Sequence, residues 1–338
     1  MKKITGTPNN SFIKKLLIKL IRKIGFEVID QSIMYSPTKE KYYENNFSEI
    51  NKNNIVLPIG EIKIERKVKS LLIIFRSFTN EDNQLSVRKK RIFECEKKEY
   101  TLRSLKSLCK SIELAQKQFQ NLKFFLSIID DNSKPNIKED LKNIVSNYKL
   151  DFEIANLNVG KYRNKQKFSD NERMIAHNAH IYASKDYAKE SNFDLIYFVE
   201  DDYLHLDNSI SEMLLTYEKF STIFKEDIIL CPSDYPYLYQ QNYQSLVLIG
   251  EKNHWRSVDQ TLCTYLISSK ILLNHWDKYH EMMTNNYNAY EKPLHDIYKK
   301  TMCFSPMPSL SIHLANLNTI YGLSPLIDWK KIWEENKI

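Results

Sequence analysis

The sequence contains few glycines and few cysteines, and both shortages exclude classes of protein. Only 6 of its 338 residues are glycine, which is too few for a glycine-rich linker protein. The cysteines are widely spaced and form no C-x-x-C pair; they are Cys95, Cys109, Cys231, Cys263 and Cys303. This pattern excludes a disulfide framework and a zinc site and is typical of a reducing compartment. We therefore expect a cytoplasmic protein.

Long apolar runs are also missing. No segment approaches the roughly 20 apolar residues of a membrane-spanning helix. The one candidate for a signal peptide is interrupted by Lys14, Lys15 and Lys19, whereas a signal peptide needs an unbroken apolar core. We therefore expect neither kind of segment.

Acidic residues are absent from the first 24 positions, which hold seven of the 49 basic residues. The 42 basic residues that remain equal the 42 acidic residues, so the net charge of +7 belongs to this N-terminal segment. Nucleic-acid binding needs a basic face on the folded domain, and the neutral body disfavours it. A basic end instead suits an anionic membrane surface.

The same segment predicts a helix from Ser11 to about Ile24, with Gly25 as its stop. Its apolar residues share one stripe, and its basic residues lie off that stripe. Such a helix can lie in a membrane interface, or it can pack its stripe on the main domain. Both interpretations stay open at the level of sequence.

Apolar strands alternate with helices from residue 70 onward. The predicted strands are 71–75, 124–129, 152–155, 195–199 and 228–230, and the predicted helices are 100–118, 137–148, 171–189 and 209–224. This alternation predicts an α/β fold with a mostly parallel central sheet flanked by helices. We expect three parts: a basic amphipathic helix (1–25), an irregular extension (26–69) and one α/β domain (70–338).

Charged side chains collect where the predicted strands end, which is where ligands bind in such sheets. Glu200, Asp201 and Asp202 follow a buried strand directly. Adjacent carboxylates repel one another, and a bound Mn²⁺ or Mg²⁺ removes that cost. Such an ion also suits a nucleoside diphosphate, because it neutralises the phosphates as they leave. The alternative is an acidic turn before the helix at Ser209.

This pattern resembles the GT-A glycosyltransferases, whose metal-binding "DxD" element follows a central strand. The resemblance covers about residues 69–329 and implies a GT-A-like fold. It implies that Asp202 binds the metal directly and that Asp201 or Glu200 contacts the ribose or a metal-bound water. Which two of the three acids matter stays open, because a glutamate stands in the first place.

The resemblance also implies roles for residues elsewhere in the chain. Arg76 and the pair Asp130 and Asp131 would bind the donor nucleotide, and the segment 158–164 is similar to the one that precedes the family's metal strand. His313 stands where many of these enzymes have a histidine that completes the metal shell; a surface histidine is the alternative.

A catalytic base is expected near residue 291, by the same resemblance. Glu291 is the best match and Asp296 the reserve; a base takes the proton of the attacking sugar hydroxyl. The alternative for Glu291 is a charge favoured by a helix dipole, and a retaining enzyme would need no such base.

Aromatic and polar residues predict an acceptor rim; they are Asp234, Trp255, Arg256 and Asp259. A tyrosine-rich surface loop is the alternative. We therefore expect transfer of a sugar from a nucleotide-sugar donor to a glycan or lipid-linked saccharide, with bacterial surface polysaccharide synthesis as the pathway implied by resemblance. A nucleotidyltransferase is disfavoured, because no glycine-rich loop follows the first strand at 71–75. A non-catalytic glycan- or membrane-binding module on the same scaffold remains an alternative.

Overall fold

The computed structural model describes residues 12–26, 54–57, 60–79, 92–93, 95–167, 172–239, 244–285, 291–314 and 323–338. Most of the predicted extension 26–69 lies outside these ranges. Within them, the helices are α1 (Phe12–Lys23), α2 (Lys97–Gln118), α3 (Pro135–Ser146), α4 (Val159–Arg163), α5 (Glu172–Glu190), α6 (Ser209–Phe224), α7 (Ser269–Asn274), α8 (Trp276–Thr284), α9 (Lys292–Tyr298) and α10 (Trp329–Glu335). The strands are β1 (Asn54–Leu57), β2 (Gly60–Lys63), β3 (Ser70–Ser77), β4 (Lys123–Asp130), β5 (Phe152–Asn156), β6 (Leu195–Glu200), β7 (Tyr203–His205), β8 (Ile229–Leu230), β9 (Val247–Ile249), β10 (His254–Val258), β11 (Tyr265–Ser268), β12 (Cys303–Met307) and β13 (Ser311–His313).

Nine of the described strands form one sheet in the order β5-β4-β3-β6-β11-β8-β12-β10-β9. β5, β4, β3 and β6 pair in parallel, and so do β8 and β12. β11 and β10 are antiparallel to their neighbours. The sheet is thus mostly parallel and flanked by helices, which confirms the predicted fold class.

Each face of this sheet has its own apolar core. On one face, Leu105 of α2 and Met213 of α6 are fully buried in the same cluster as Ile73 of β3. On the other, the cluster contains Ala179 of α5 and Met282 of α8. Burial on both faces explains why the central strands are continuously apolar instead of alternating.

Strand register sets the positions of the charged residues. Arg76 of β3 pairs with Glu200 of β6, and Ser77 pairs with Asp130 of β4. The carboxyl ends of three adjacent parallel strands therefore lie side by side. A second, two-stranded sheet forms beside them, in which β13 pairs antiparallel with β7 and places His313 opposite Tyr203.

Helix α1 forms as predicted and ends at a glycine. Gly25 has a φ of 90°, and its N–H donates to the carbonyl of Arg22 at 3.1 Å. The N–H of Phe26 donates to the carbonyl of Ile21 at 3.2 Å. This pair of bonds is a Schellman cap, which needs a left-handed residue and so favours glycine. No helix among the described residues is long and apolar enough to cross a membrane.

Candidate active site

Arg76 and Glu200 form an ion pair at the carboxyl ends of β3 and β6. Arg76 Nη2 donates to Glu200 Oε1 at 2.8 Å, and the side chain of Arg76 is buried while a quarter of the Glu200 side chain is exposed. The backbone N–H of Glu200 donates to Thr264 Oγ1 at 3.1 Å. Burial raises the pKa of Glu200, Arg76 opposes that rise and Asp202 adds to it. The pair leaves part of the Glu200 carboxylate accessible at the carboxyl end of the sheet, beside the buried Arg76 guanidinium.

Asp201 points away from its two acidic neighbours into the protein. Its Oδ1 accepts from Lys97 Nζ at 2.5 Å, and its Oδ2 accepts from Thr101 Oγ1 and the N–H of Phe78, each at 2.8 Å. The residue is 7% exposed. Both oxygens therefore hold β6 to the start of α2 and to the end of β3. Glu200 and Asp202 are the more exposed of the three acids, with 24% and 31% of their side chains accessible.

Asp202 lies beside His313. The distance between His313 Nε2 and Asp202 Oδ2 is 3.5 Å, and about a third of the Asp202 side chain is exposed. The His313 ring stacks on Tyr203 with centroids 4.6 Å apart and planes at 9°. Burial lowers the pKa of His313, but the charge and hydrogen bond of Asp202, together with Glu200, raise it above its ordinary value overall. The structure thus brings together the two residues predicted from separate parts of the chain to bind metal.

Glu291 stands immediately before α9 and is partly buried. Burial raises its pKa to about 7, and the charges of Glu200 and His313 also act on it. Its carboxylate therefore lies within electrostatic range of Glu200 and His313. A carboxylate with a pKa near 7 is matched to proton transfer at neutral pH.

Asp296 has different surroundings. Its Oδ1 accepts from Lys299 Nζ at 2.6 Å, and its Oδ2 lies 3.9 Å from Lys278 Nζ. The hydrogen bond and charge of Lys299 lower its pKa. It is a surface ion-pair residue of α9, which leaves Glu291 as the candidate base.

Asp130 and Asp131, predicted to bind the donor, follow β4. Asp130 is fully buried; its Oδ1 accepts from Ser77 Oγ at 2.8 Å and its Oδ2 from the N–H of Ser133 at 3.0 Å. Asp131 accepts from Asn132 Nδ2 at 2.9 Å, and burial raises its pKa. Asp130 thus shapes the loop after β4, while Asp131 is held by the side chain of its neighbour Asn132.

The predicted acceptor residues do not share one environment. Asp234 is buried and accepts from Arg256 Nη2 at 2.5 Å and from the hydroxyl of Tyr239. Burial raises the pKa of Asp234 against the effect of both partners. The Arg256 guanidinium lies 4.2 Å from the Tyr239 ring centroid, while the ring itself is half exposed. Asp259 is exposed.

The position of Trp255 corrects its predicted place in an acceptor rim. It is fully buried, and its indole N–H donates to Glu212 Oε1 at 3.2 Å. It belongs to the apolar core shared with α6. Its position on β10 between β9 and β12 turns the side chain into that core, which the composition of the segment alone could not reveal.

Three residues at the site were missed by the sequence analysis. Lys97 and Thr101 bind Asp201, and Tyr203 supports the ring of His313. Lys97 and Thr101 are one helical turn apart at the start of α2, so they share a face. The signal that could have revealed the Asp201 contact is a lysine buried on the inner face of a helix, because a buried ammonium group needs a partner.

The residues also fit a divalent ion. Among the described residues, no three His, Cys, Asp or Glu side chains are grouped closely enough to hold a metal by themselves. Asp202 and His313 supply one carboxylate and one imidazole. Mg²⁺ and similar ions that bind nucleotides use one or two protein ligands and take the rest from phosphates and water. The two-residue donor set is therefore consistent with an ion that arrives with a diphosphate.

No family profile and no curated protein sequence matches this chain. Its structure is similar to that of S. aureus TarS 1–349, with 11% identity and a TM-score of 0.40; the match covers 70% of this chain and 57% of that one. It is similar to galactosyltransferase LgtC in complex with donor and acceptor sugar analogues (10% identity, TM-score 0.34, 69% of this chain and 72% of that one). A UDP-glucose pyrophosphorylase complexed with UDP-glucose has 10% identity and a TM-score of 0.34, over 71% of this chain and 90% of that one.

These similarities concern the fold alone. The match spans little more than half of the TarS fragment. The case for a function therefore depends on the site itself. One of these structures is named as a galactosyltransferase, the class of enzyme that the sequence resembles.

Proposed function

We propose that this protein is a metal-dependent glycosyltransferase that moves a sugar from a nucleoside-diphosphate sugar to a hydroxyl of a glycan or lipid-linked saccharide. The observation that carries the proposal is the 3.5 Å approach of His313 to Asp202 beside the Arg76–Glu200 pair, with Glu291 in electrostatic range of Glu200 and His313. A base with a pKa near neutrality would thus act close to a donor set for a hard cation.

Each residue has a role in this reaction. Asp202 and His313 would hold Mn²⁺ or Mg²⁺, which when bound neutralises the charge that grows on the departing diphosphate. Glu200, kept in place by Arg76, would orient the ribose or a water of the ion. Asp131 would contact the nucleoside from the neighbouring strand end.

Glu291 would act as the base. The acceptor oxygen forms a bond to the anomeric carbon, the bond from that carbon to the phosphate oxygen breaks, and the hydroxyl proton moves to the Glu291 carboxylate. Direct attack of this kind inverts the anomeric configuration. We propose bacterial surface polysaccharide synthesis as the setting. A lipid-linked acceptor would bring the enzyme to the inner face of the cell membrane, which is the peripheral location that we propose.

The first test is thermal unfolding with a panel of nucleoside diphosphates, with and without Mn²⁺. A ligand at about 100 times its dissociation constant stabilises by roughly 2.7 kcal/mol. We expect one nucleotide to raise the midpoint only with the metal, and Asp202→Asn to remove the effect. Asp296→Asn is the matched control, because that carboxylate is paired with Lys299 on the surface.

The alternatives predict other results. A non-catalytic binding module would show no metal-dependent nucleotide shift and no turnover of any nucleotide sugar. A nucleotidyltransferase would release pyrophosphate from a nucleoside triphosphate and a sugar phosphate. Either result would replace the transferase assignment.

A further inference from the structure

The apolar stripe of α1 is exposed along its length. Five large apolar side chains of the helix, and Ile24 directly after it, are between 53% and 80% accessible: Phe12, Ile13, Leu16, Leu17, Leu20 and Ile24. Phe26, just after the helix, is 68% accessible. The stripe therefore does not pack on the described part of the α/β domain, which was one of the two interpretations open from sequence. Contiguous exposed apolar surface of this kind marks an interaction site.

The charges of α1 indicate what covers the stripe. The helix has five basic residues and no acidic residue: Lys14, Lys15, Lys19, Arg22 and Lys23. In helical projection Lys14, Lys15, Lys19 and Arg22 lie beside the apolar stripe, and Lys23 lies at its edge between Phe12 and Leu16. Helices that lie in the headgroup region of a bilayer show this pattern: one face carries leucine, isoleucine and phenylalanine, and the other carries lysine and arginine.

The dimensions of α1 limit the geometry of binding. Its 12 residues extend about 18 Å at 1.5 Å per residue, which is shorter than the roughly 30 Å apolar thickness of a bilayer. The helix can therefore bind only along the surface. We propose that α1 is a docking helix for an anionic phospholipid bilayer, in which the stripe enters the acyl boundary and the basic residues meet the lipid phosphates.

This inference deepens the proposed membrane location by naming its surface and its lipid class. It concerns a segment apart from the candidate active site, so it can be tested without turnover. A failure of vesicle binding would leave the sugar-transfer assignment standing, and a failure of sugar transfer would leave the docking helix standing.

The test is flotation of the full chain with phosphatidylcholine vesicles, with and without phosphatidylglycerol. We expect binding only to the anionic vesicles, with weaker binding at high salt because the charges are screened. The triple variant Lys19→Gln/Arg22→Gln/Lys23→Gln should weaken binding about a hundredfold, at roughly 1 kcal/mol for each basic residue. Leu16→Ser/Leu20→Ser should weaken it at least about as much.

Leu326→Ser is the matched control. Leu326 is 91% exposed but lies outside α1, so its loss should leave vesicle binding unchanged. Thermal unfolding of all variants should match the unaltered protein, because an exposed stripe supports no core. Equal binding to neutral and anionic vesicles, or no binding to either, would overturn the proposal. An α1-dependent dimer in light scattering without vesicle binding would instead make a second copy the partner.

Discussion

His313 Nε2 lies 3.5 Å from Asp202 Oδ2, although the two residues belong to distant parts of the chain. The pairing of β13 with β7 places His313 opposite Tyr203, the residue that follows Asp202. The N–H of Leu314 also donates to the carbonyl of Asp202 at 2.8 Å. Backbone pairing, and not the side chains alone, therefore fixes the distance between the two proposed metal ligands.

Asp202→Asn should abolish sugar transfer while the protein stays folded. The amide keeps the shape of the side chain but removes the charge that attracts the cation. We expect the rate to fall by at least about a hundredfold, the scale seen when one stabilising group is lost from a charged transition state. Turnover of the donor identified by thermal shift measures this; a variant with unaltered rates would contradict the metal assignment.

Asp201→Asn should act mainly on stability. It leaves the buried Lys97 ammonium without its carboxylate, and breaking a buried ion pair of this kind costs about 3 kcal/mol or more. Urea denaturation should show a lower midpoint for this variant than for Asp202→Asn. If both variants proved equally stable, Asp201 would not be the anchor that its three hydrogen bonds indicate.

Glu291 should give the reaction a pH dependence. Its pKa is raised to about 7 by burial, so the rate should increase as pH rises through neutrality and the base loses its proton. Glu291→Gln should remove this limb along with most of the activity. Asp296→Asn should retain the full profile. A profile that survives in Glu291→Gln would assign the base elsewhere.

The raised pKa of Glu291 also affects the stability of the fold. Between the unfolded pKa of 4.5 and about 7, the folded state holds a proton that the unfolded state releases. Glu291 therefore contributes stability at low pH that is lost as pH rises through 7. Glu291→Gln should unfold at a higher temperature than the unaltered protein at pH 8, and the difference should disappear near pH 4.

Gly250→Ala should destabilise the fold. A Cβ at this position would lie 2.5 Å from Trp255 Nε1 and 2.7 Å from Thr216 Oγ1. Both neighbours surround Glu212, whose carboxylate accepts from the N–H groups of Glu251, Lys252 and Asn253. Overpacking of such a site costs about 1–3 kcal/mol. Gly160→Ala is the control: its Cβ would meet only Asn158 Oδ1, at 3.3 Å, and urea midpoints should separate the two.

Two buried histidines should make the fold sensitive to acid. Burial lowers the pKa of His180 and of His205 to about 3. The unfolded chain takes up protons at these residues below its pKa of about 6.5, so stability present above that pH is lost as pH falls toward 3. Groups with a raised pKa, such as Glu291 and His313, act in the opposite direction, so the test compares two proteins. Between about pH 6.5 and 4.5, the change in urea midpoint of His205→Leu should be less destabilising than that of the unaltered protein.

The central strands and helices could be predicted because their burial is visible in the local sequence, as continuous apolar runs in the strands and apolar stripes on the helices. β6 covers the predicted strand 195–199 and one more residue, Glu200. α6 has the same bounds as the predicted helix 209–224. Those strands are apolar on both faces, so their pattern does not depend on distant partners. In the second half of the sheet β8 was predicted, at 228–230, but β9, β10 and β12 were not. These three strands have three to five residues each, and long-range pairing defines them.

The candidate site could likewise be predicted only in part. The position of the acids at a strand end followed from the sequence, but the direction of each side chain did not. Asp201 turns to Lys97 because α2 packs beside β7, a tertiary contact without a local signal. Trp255 resembles a sugar-stacking residue in composition, yet the register of β10 with β12 buries it.

Asp201 joins three elements through one carboxylate: the end of β6, the end of β3 and the first turn of α2. A cleft built on such a junction has its charged groups in position before any ligand arrives. Binding then needs little ordering of the protein, which is the condition under which preorganisation increases affinity. Loosening the contact between Lys97 and Asp201 should therefore appear in calorimetry as a larger entropic penalty for nucleotide binding.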